Sequence, residues 1–134
     1  DLLAEYGYDY TLDFGMMDDQ PFWCETAPSN KDTPEPMLCL PYPIELNDQP
    51  AMVFRRDTPD QFFSSAIDQF DEMRRSSDTY PQIFVVSLHS FIAGQPYRLK
   101  HLRRLLEHIQ AHETDVWVTR PGEVARHYRQ VSGD

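Results

Sequence analysis

Cysteine is scarce in this 134-residue sequence: Cys24 and Cys39 are the only two. Their separation is neither that of a zinc knuckle nor that of a redox pair, and a single bridge would make no disulfide framework. A reduced, cytoplasmic setting is therefore the expectation. Basic residues are few as well, with 12 Lys+Arg against 22 Asp+Glu, for a net charge of −10. Contacts from Lys and Arg to phosphate dominate nucleic-acid affinity, so nucleic acid is excluded as a general partner; the one basic run, Arg98 to Arg104, is local. Long apolar runs are missing, none being longer than the four residues of Ile83 to Val86. A membrane helix needs roughly 20 such residues, and no charged-then-apolar leader opens the chain, so a membrane partner is excluded too. The sequence also lacks a Gly-rich phosphate loop, a Gly-x-Ser-x-Gly elbow and a histidine next to either cysteine.

What is present is a globular composition, 40% hydrophobic and 13% aromatic. A chain of this length suits one domain burying roughly two-thirds of its unfolded surface, and residues 1–134 are read as a single, partial domain. Leu2, Leu3 and Ala4 look like the end of a helix already under way, so a native start upstream of Asp1 is the expectation. Eight of the 11 prolines lie between Pro21 and Pro59, making the first half loop-rich. From Gln20 to Pro36 turn residues recur without helical or strand period. Phe22 and Trp23 within it point to an ordered loop, so 15–36 is expected to be a lid or pocket wall.

Met37 to Leu40 then forms a short buried strand, and Ile44 to Leu46 a second extended piece before the Asn47-Asp48 turn. Thr58, Pro59 and Gln61 write a capping box. The helix it opens carries Phe62, Phe63, Ala66, Ile67, Phe70 and Met73 at helical spacing. Ile83 to Leu88 is an apolar run broken only by Ser87, whose character predicts a strand covered on both faces, as in a parallel sheet. A helix from Tyr97 to His112 presents Leu99, Leu102, Leu105, Leu106 and Ile109 on one face. Val116 to Val118 is a short strand, and Thr119 introduces a last helix with Val124, Ala125 and Tyr128 inward. This alternation is that of βαβ units, hence an α/β fold. So few units cannot close a barrel, and an open sheet covered on one side leaves the other bare. The expectation is part of a barrel.

Among residues able to do chemistry, His108 and His112 have the i, i+4 spacing of a metal pair but lack an evident third ligand and pocket. They are read with His101 as a partly solvated helix flank, and His127 as a surface residue, leaving no metal site. Asp18 and Asp19 are read as solvated loop acids. His89 differs, because it ends the apolar run, where parallel barrel strands deliver residues to the active-site mouth. An imidazole there can protonate a leaving group. Asp48, after Asn47, is a carboxylate that could orient it, although turn Asp is common for backbone reasons alone.

Ser87-Leu88-His89-Ser90, Ile92-x-Gly94-x-Pro96, Arg98, Leu102 to Leu106, Val116-Trp117-Val118 and Glu123-x-Ala125-x-His127-Tyr128 together resemble the C-terminal half of the polysaccharide deacetylase (NodB-homology) family. Within it they are most similar to the allantoinase-like, urate-catabolism branch. Asp18-Asp19-x-Pro21-Phe22, Leu40-Pro41-Tyr42 and Glu45-x-Asn47-Asp48 extend the resemblance back to about Tyr6. It implies the C-terminal portion of a distorted (β/α) barrel of the glycoside hydrolase/deacetylase type, breaking a non-peptide C–N bond in an N-acetyl sugar or a cyclic ureide such as allantoin. It implies His89 and Asp48 as catalytic residues, and Trp23, Tyr42 and Arg98 as substrate contacts. A zinc-like divalent metal and the water-activating Asp would belong to upstream residues of the full-length protein, with none bound by this chain. The partners implied are a small-molecule or glycan substrate, the upstream half of the barrel and a second copy in a homo-oligomer. This chain alone is then expected to be inactive. The competing reading is a non-catalytic, degenerate barrel module that binds a partner or carbohydrate.

Overall fold

The computed structural model describes residues 2–14, 19–26 and 36–132. In chain order the elements are α1 (Leu2–Glu5), β1 (Tyr10–Thr11), β2 (Phe22–Cys24), β3 (Met37–Cys39), a π-helical segment (Gln49–Phe54), α2 (Pro59–Ser76), α3 (Pro96–Gln110) and α4 (Pro121–Ser132). They fall into two compact units, residues 1–42 with 119–134, and residues 43–118.

In the first unit β3 is central. β1 runs parallel to it, with Tyr10 opposite Leu38, and β2 runs antiparallel, with Trp23 opposite Leu38. Met37 through Leu40 are all buried, as an apolar run covered on both faces should be. β2 lies inside the segment expected to be all loop. Three residues are too few to show a period, and its strand character comes from the ladder with β3. Residues 15–18 and 27–35 of the expected lid, Asp18 included, lie outside the described residues. On α4, Ala125 is buried and Val124 and Tyr128 are half-buried.

The second unit is built on α2 and α3. Thr58 accepts from the Gln61 backbone N–H at 3.2 Å, while the Gln61 side chain accepts from Thr58 N–H at 2.8 Å. That capping box with Pro59 starts α2, as the sequence predicts. Phe62, Phe63, Ala66 and Leu105 form the core with Leu46, Ala51 and Ala93, and Ile67, Phe84, Val86, Leu102 and Ile109 pack against it. Leu106, expected on the buried stripe of α3, is exposed instead. The five-residue stripe is wider than the surface α2 covers.

Three expected strands need correction. Ile44 to Leu46 is a bend and turn, and neither Ile83 to Leu88 nor Val116 to Val118 forms a ladder among the described residues. A strand exists through its neighbour, and here the pairing reduces to one parallel bridge between Asn47 and Ser87. Ile83 to Val86 is only half-buried and Leu88 is 39% exposed, so the predicted cover on both faces is not met. Helices and extended segments do alternate, as in a partial (β/α) barrel. No helix among the described residues is long and apolar enough to cross a membrane.

Candidate active site

The single bridge places two side chains together. Asp48 N–H donates to the Ser87 carbonyl at 3.0 Å and Ser87 N–H to the Leu46 carbonyl at 2.9 Å, so the two segments run the same way and both end at one edge. Asp48 follows one and His89 the other. Asp48 is fully buried, at 0% exposure. Its Oδ1 lies 2.6 Å from His89 Nδ1, and its Oδ2 accepts the backbone N–H of His89 at 2.9 Å and of Ala93 at 3.1 Å. An ionised carboxylate only accepts, so Nδ1 carries a hydrogen and Nε2 is the nitrogen left for chemistry. The His89 side chain is 31% exposed, and Phe91 packs against the ring with centroids 5.4 Å apart.

Local backbone geometry holds this pair. Asp48 precedes the π-helical segment, whose entry is tied by Gln49 N–H to Asn47 Oδ1 at 3.1 Å and Ala51 N–H to Asn47 O at 3.2 Å. Such π-helical turns are often found at functional sites. After His89, the N–H groups of Ile92 and Ala93 both donate to the His89 carbonyl at 2.9 Å. That turn needs glycine at position 94, where a Cβ would run into the Ser90 carbonyl oxygen. Ser87 Oγ is buried beneath with no hydrogen-bond partner among the described residues.

Arg98 braces the same turn, its Nη1 donating to the Ile92 carbonyl at 2.9 Å and its guanidinium lying 4.9 Å from the Tyr97 ring centre. Its buried Nε has no partner among the described residues. Trp23 and Tyr42 belong to the other unit. There Trp23 packs on Tyr128 at 6.3 Å with Arg129 4.9 Å from its ring centre, and Tyr42 is half-buried. The structure thus gathers His89, Asp48 and Arg98 around one turn. The Ala93 amide, Ser87 and Phe91 were missed, because only the folded turn gives them a role.

On α3, His101 is less a solvated flank than expected. It stacks on Phe63 with rings 6° apart, and its Nδ1 is 3.4 Å from Asp60 Oδ1. His108 Nε2 lies 2.7 Å from Asp71 Oδ1 on α2. The hydrogen bond from His108 holds the Asp71 carboxyl below the usual carboxylate range, with the positive charges of His108, Arg74 and His112 acting the same way and burial opposing them. In the first unit, burial pushes the Cys39 thiol up to about 12, with Cys24 and Asp13 adding to the effect.

No protein-family model matches the chain. A Schizosaccharomyces pombe protein assigned by name to the polysaccharide deacetylases is 31% identical over 114 residues, covering 81% of this chain and 35% of that protein. A peptidoglycan deacetylase of Helicobacter pylori is 27% identical over 144 residues, covering 89% and 48%. Among solved structures, the Puue allantoinase superposes with a TM-score of 0.83 at 31% identity, over 96% of this chain and 41% of that one. A Pseudomonas aeruginosa protein described as a polysaccharide deacetylase gives 0.81 at 30% identity, over 96% and 41%. In sequence and in fold the chain is similar to the NodB-like polysaccharide deacetylases. It spans between about a third and a half of the length of these relatives.

Related deacetylase and allantoinase folds are often metal-dependent. The residues present around His89 do not fit a metal. Asp48 has Oδ1 on the imidazole and Oδ2 on two backbone N–H groups, and among the described residues neither His89 nor Asp48 belongs to a group of three ligands close enough to share an ion. Such a metal would need donors from outside the described residues, and no step of the mechanism below passes through it.

Proposed function

We propose that the whole protein hydrolyses a non-peptide C–N bond, in an N-acetylated glycan or a cyclic ureide, and that this chain supplies the general acid. The observation that supports the reading most is the buried Asp48 carboxylate holding His89 through Nδ1 and through its backbone at once. That grip fixes the tautomer and the ring, as a catalytic histidine requires.

Once water has added to the amide carbonyl, the tetrahedral intermediate must lose its nitrogen, which departs poorly as an anion. Protonated His89 gives its Nε2 hydrogen to that nitrogen while the C–N bonding pair stays with it. The neutral ring remains fixed by Nδ1–H to Asp48. Acid assistance of this kind contributes about 10²–10⁴ in rate. Arg98, whose guanidinium braces the same turn, offers a charge to hold a substrate carbonyl or carboxylate. The rest of the barrel supplies the aspartate that takes the proton from the attacking water.

The test is made on the full-length protein, by following acetate release from N-acetylglucosamine oligomers and ring opening of allantoin, with and without chelator. Turnover of either substrate, with His89→Ala lowering kcat about 10²–10⁴-fold and leaving KM nearly unchanged, is the expected result. An unchanged rate removes His89 from the mechanism, and no turnover on any substrate favours a binding module.

A further inference from the structure

The histidine pair on α3 lacked a third ligand in the sequence, and the structure provides one from another helix. Asp71 on α2, His108 on α3 and His112 just beyond it offer ligand atoms that all lie within 4.8 Å of one another. They are the one such group among the described residues. Each is half-buried, and Phe70 walls the group, with its ring 5.6 Å from His108 and 5.9 Å from His112. The two imidazoles stand 5.2 Å apart at 74°, which leaves both free to turn an edge toward a common point. The nearby cation, Arg74, has Nη1 bound to Asp115 Oδ2 at 3.1 Å.

We propose that Asp71, His108 and His112 bind a zinc-class divalent ion that clips the C-terminal ends of α2 and α3 together. Two imidazoles and a carboxylate are a donor set that suits zinc and neighbouring late first-row ions, and not calcium or magnesium, which take oxygen ligands. Tetrahedral ligands about 2.0–2.1 Å from zinc are roughly 3.3 Å apart, so small rotamer changes close the site from its present spacing. His108 meets the ion through Nε2 as a neutral imidazole, the hydrogen on that nitrogen passing to solvent or, by exchange through water, to Nδ1, and Asp71 exchanges the hydrogen bond for a metal bond. This group is separate from the His89 turn. Arg98, which braces that turn, is ten residues before His108, or about 15 Å along the helix axis. The fourth ligand is water or a further side chain.

The full-length protein is stripped with chelator, reloaded with zinc chloride and dialysed, and bound zinc per chain is measured by plasma mass spectrometry alongside thermal melting. The parent should hold one more zinc than Asp71→Asn, His108→Gln or His112→Gln. At zinc about 100-fold above Kd its melting temperature should rise by about 5 °C or more, a rise each of those variants loses. His89→Ala should retain both the count and the shift, whatever its activity, so failure here and failure of the hydrolase reading are distinguishable. Circular dichroism checks that each variant is folded. A second measurement needs no variant: zinc should protect His108 and His112, and not His127, from diethylpyrocarbonate. An equal zinc count in parent and His112→Gln, or unprotected His108 and His112, overturns the proposal.

Discussion

At the scale of single residues, the energetics concentrate on Asp48. Its carboxylate serves the His89 ring and two backbone N–H groups inside the protein, where an unpaired donor costs about 1–3 kcal/mol. Asp48→Asn keeps the shape but turns an NH2 toward a nitrogen or an amide that already donates. The ring is then released or flipped to its other tautomer. In the full-length protein kcat should fall about 10²–10⁴-fold, with a much smaller change in KM, measured by steady-state kinetics. Cys39 gives a prediction of a different kind. Its folded-state pKa is raised to about 12 from 9.0, chiefly by burial, so the neutral thiol is the favoured form. The associated stability is present below pH 9 and is lost as pH rises toward 12. At pH 8 iodoacetamide should therefore modify half-buried Cys24 well before Cys39, read by peptide mass spectrometry, and unfolding should equalise the two. Chain order put His89 at the end of an apolar run and Asp48 at a turn. That they meet across 41 residues is a property of the bridge, and nothing local in the sequence encodes it. Asp71 was illegible for the same reason, as an ordinary acid on the flank of α2.

At the scale of elements, the helices were legible, while of the expected strands only Met37 to Leu40 forms one, as β3. α2, α3 and α4 carry their own hydrogen bonds and apolar faces, and α2 a capping box as well, so 12 to 18 residues suffice to announce each. A strand is completed by a neighbour. Ile83 to Val86 has strand composition, yet its pairing is limited to the Ser87 bridge, whereas β2 has three residues and a full partner in β3. The turn between His89 and Pro96 shows how an element acts on the site. Gly94 is there because the Ser90 carbonyl occupies the space of a side chain, while the neighbouring Ala93 amide holds Asp48. Gly94→Ala must push that turn aside, costing about 1–3 kcal/mol in overpacking and loosening the carboxylate. The expected outcome is a lower melting temperature together with reduced kcat, whereas Gly7→Ala, at a glycine with nothing near its Cβ position, should affect stability through its backbone alone and leave kcat as it was.

At the scale of the whole molecule, the distribution of apolar surface decides what this chain can do by itself. The second unit buries Phe62, Phe63 and Leu105 well, but leaves Val53, Phe54, Phe91, Trp117 and Val118 exposed, and half-exposes the apolar run that leads to His89. An exposed apolar patch on a folded protein marks a place where something else packs, and we propose that these residues form one. The relatives are two to three times as long as the matched share of this chain, so the covering surface we propose is the remainder of the barrel. Produced as residues 1–134 alone, the protein should bind an apolar dye such as ANS, melt less cooperatively than the full-length protein and show no turnover. Its net charge of −10 should limit aggregation at low salt, so self-association should grow as salt screens that repulsion. Adding the missing part in trans should suppress dye binding and restore acetate release or ring opening together. If dye binding is absent and the melt is already sharp, the exposed residues cover no partner surface and the chain is a self-sufficient module.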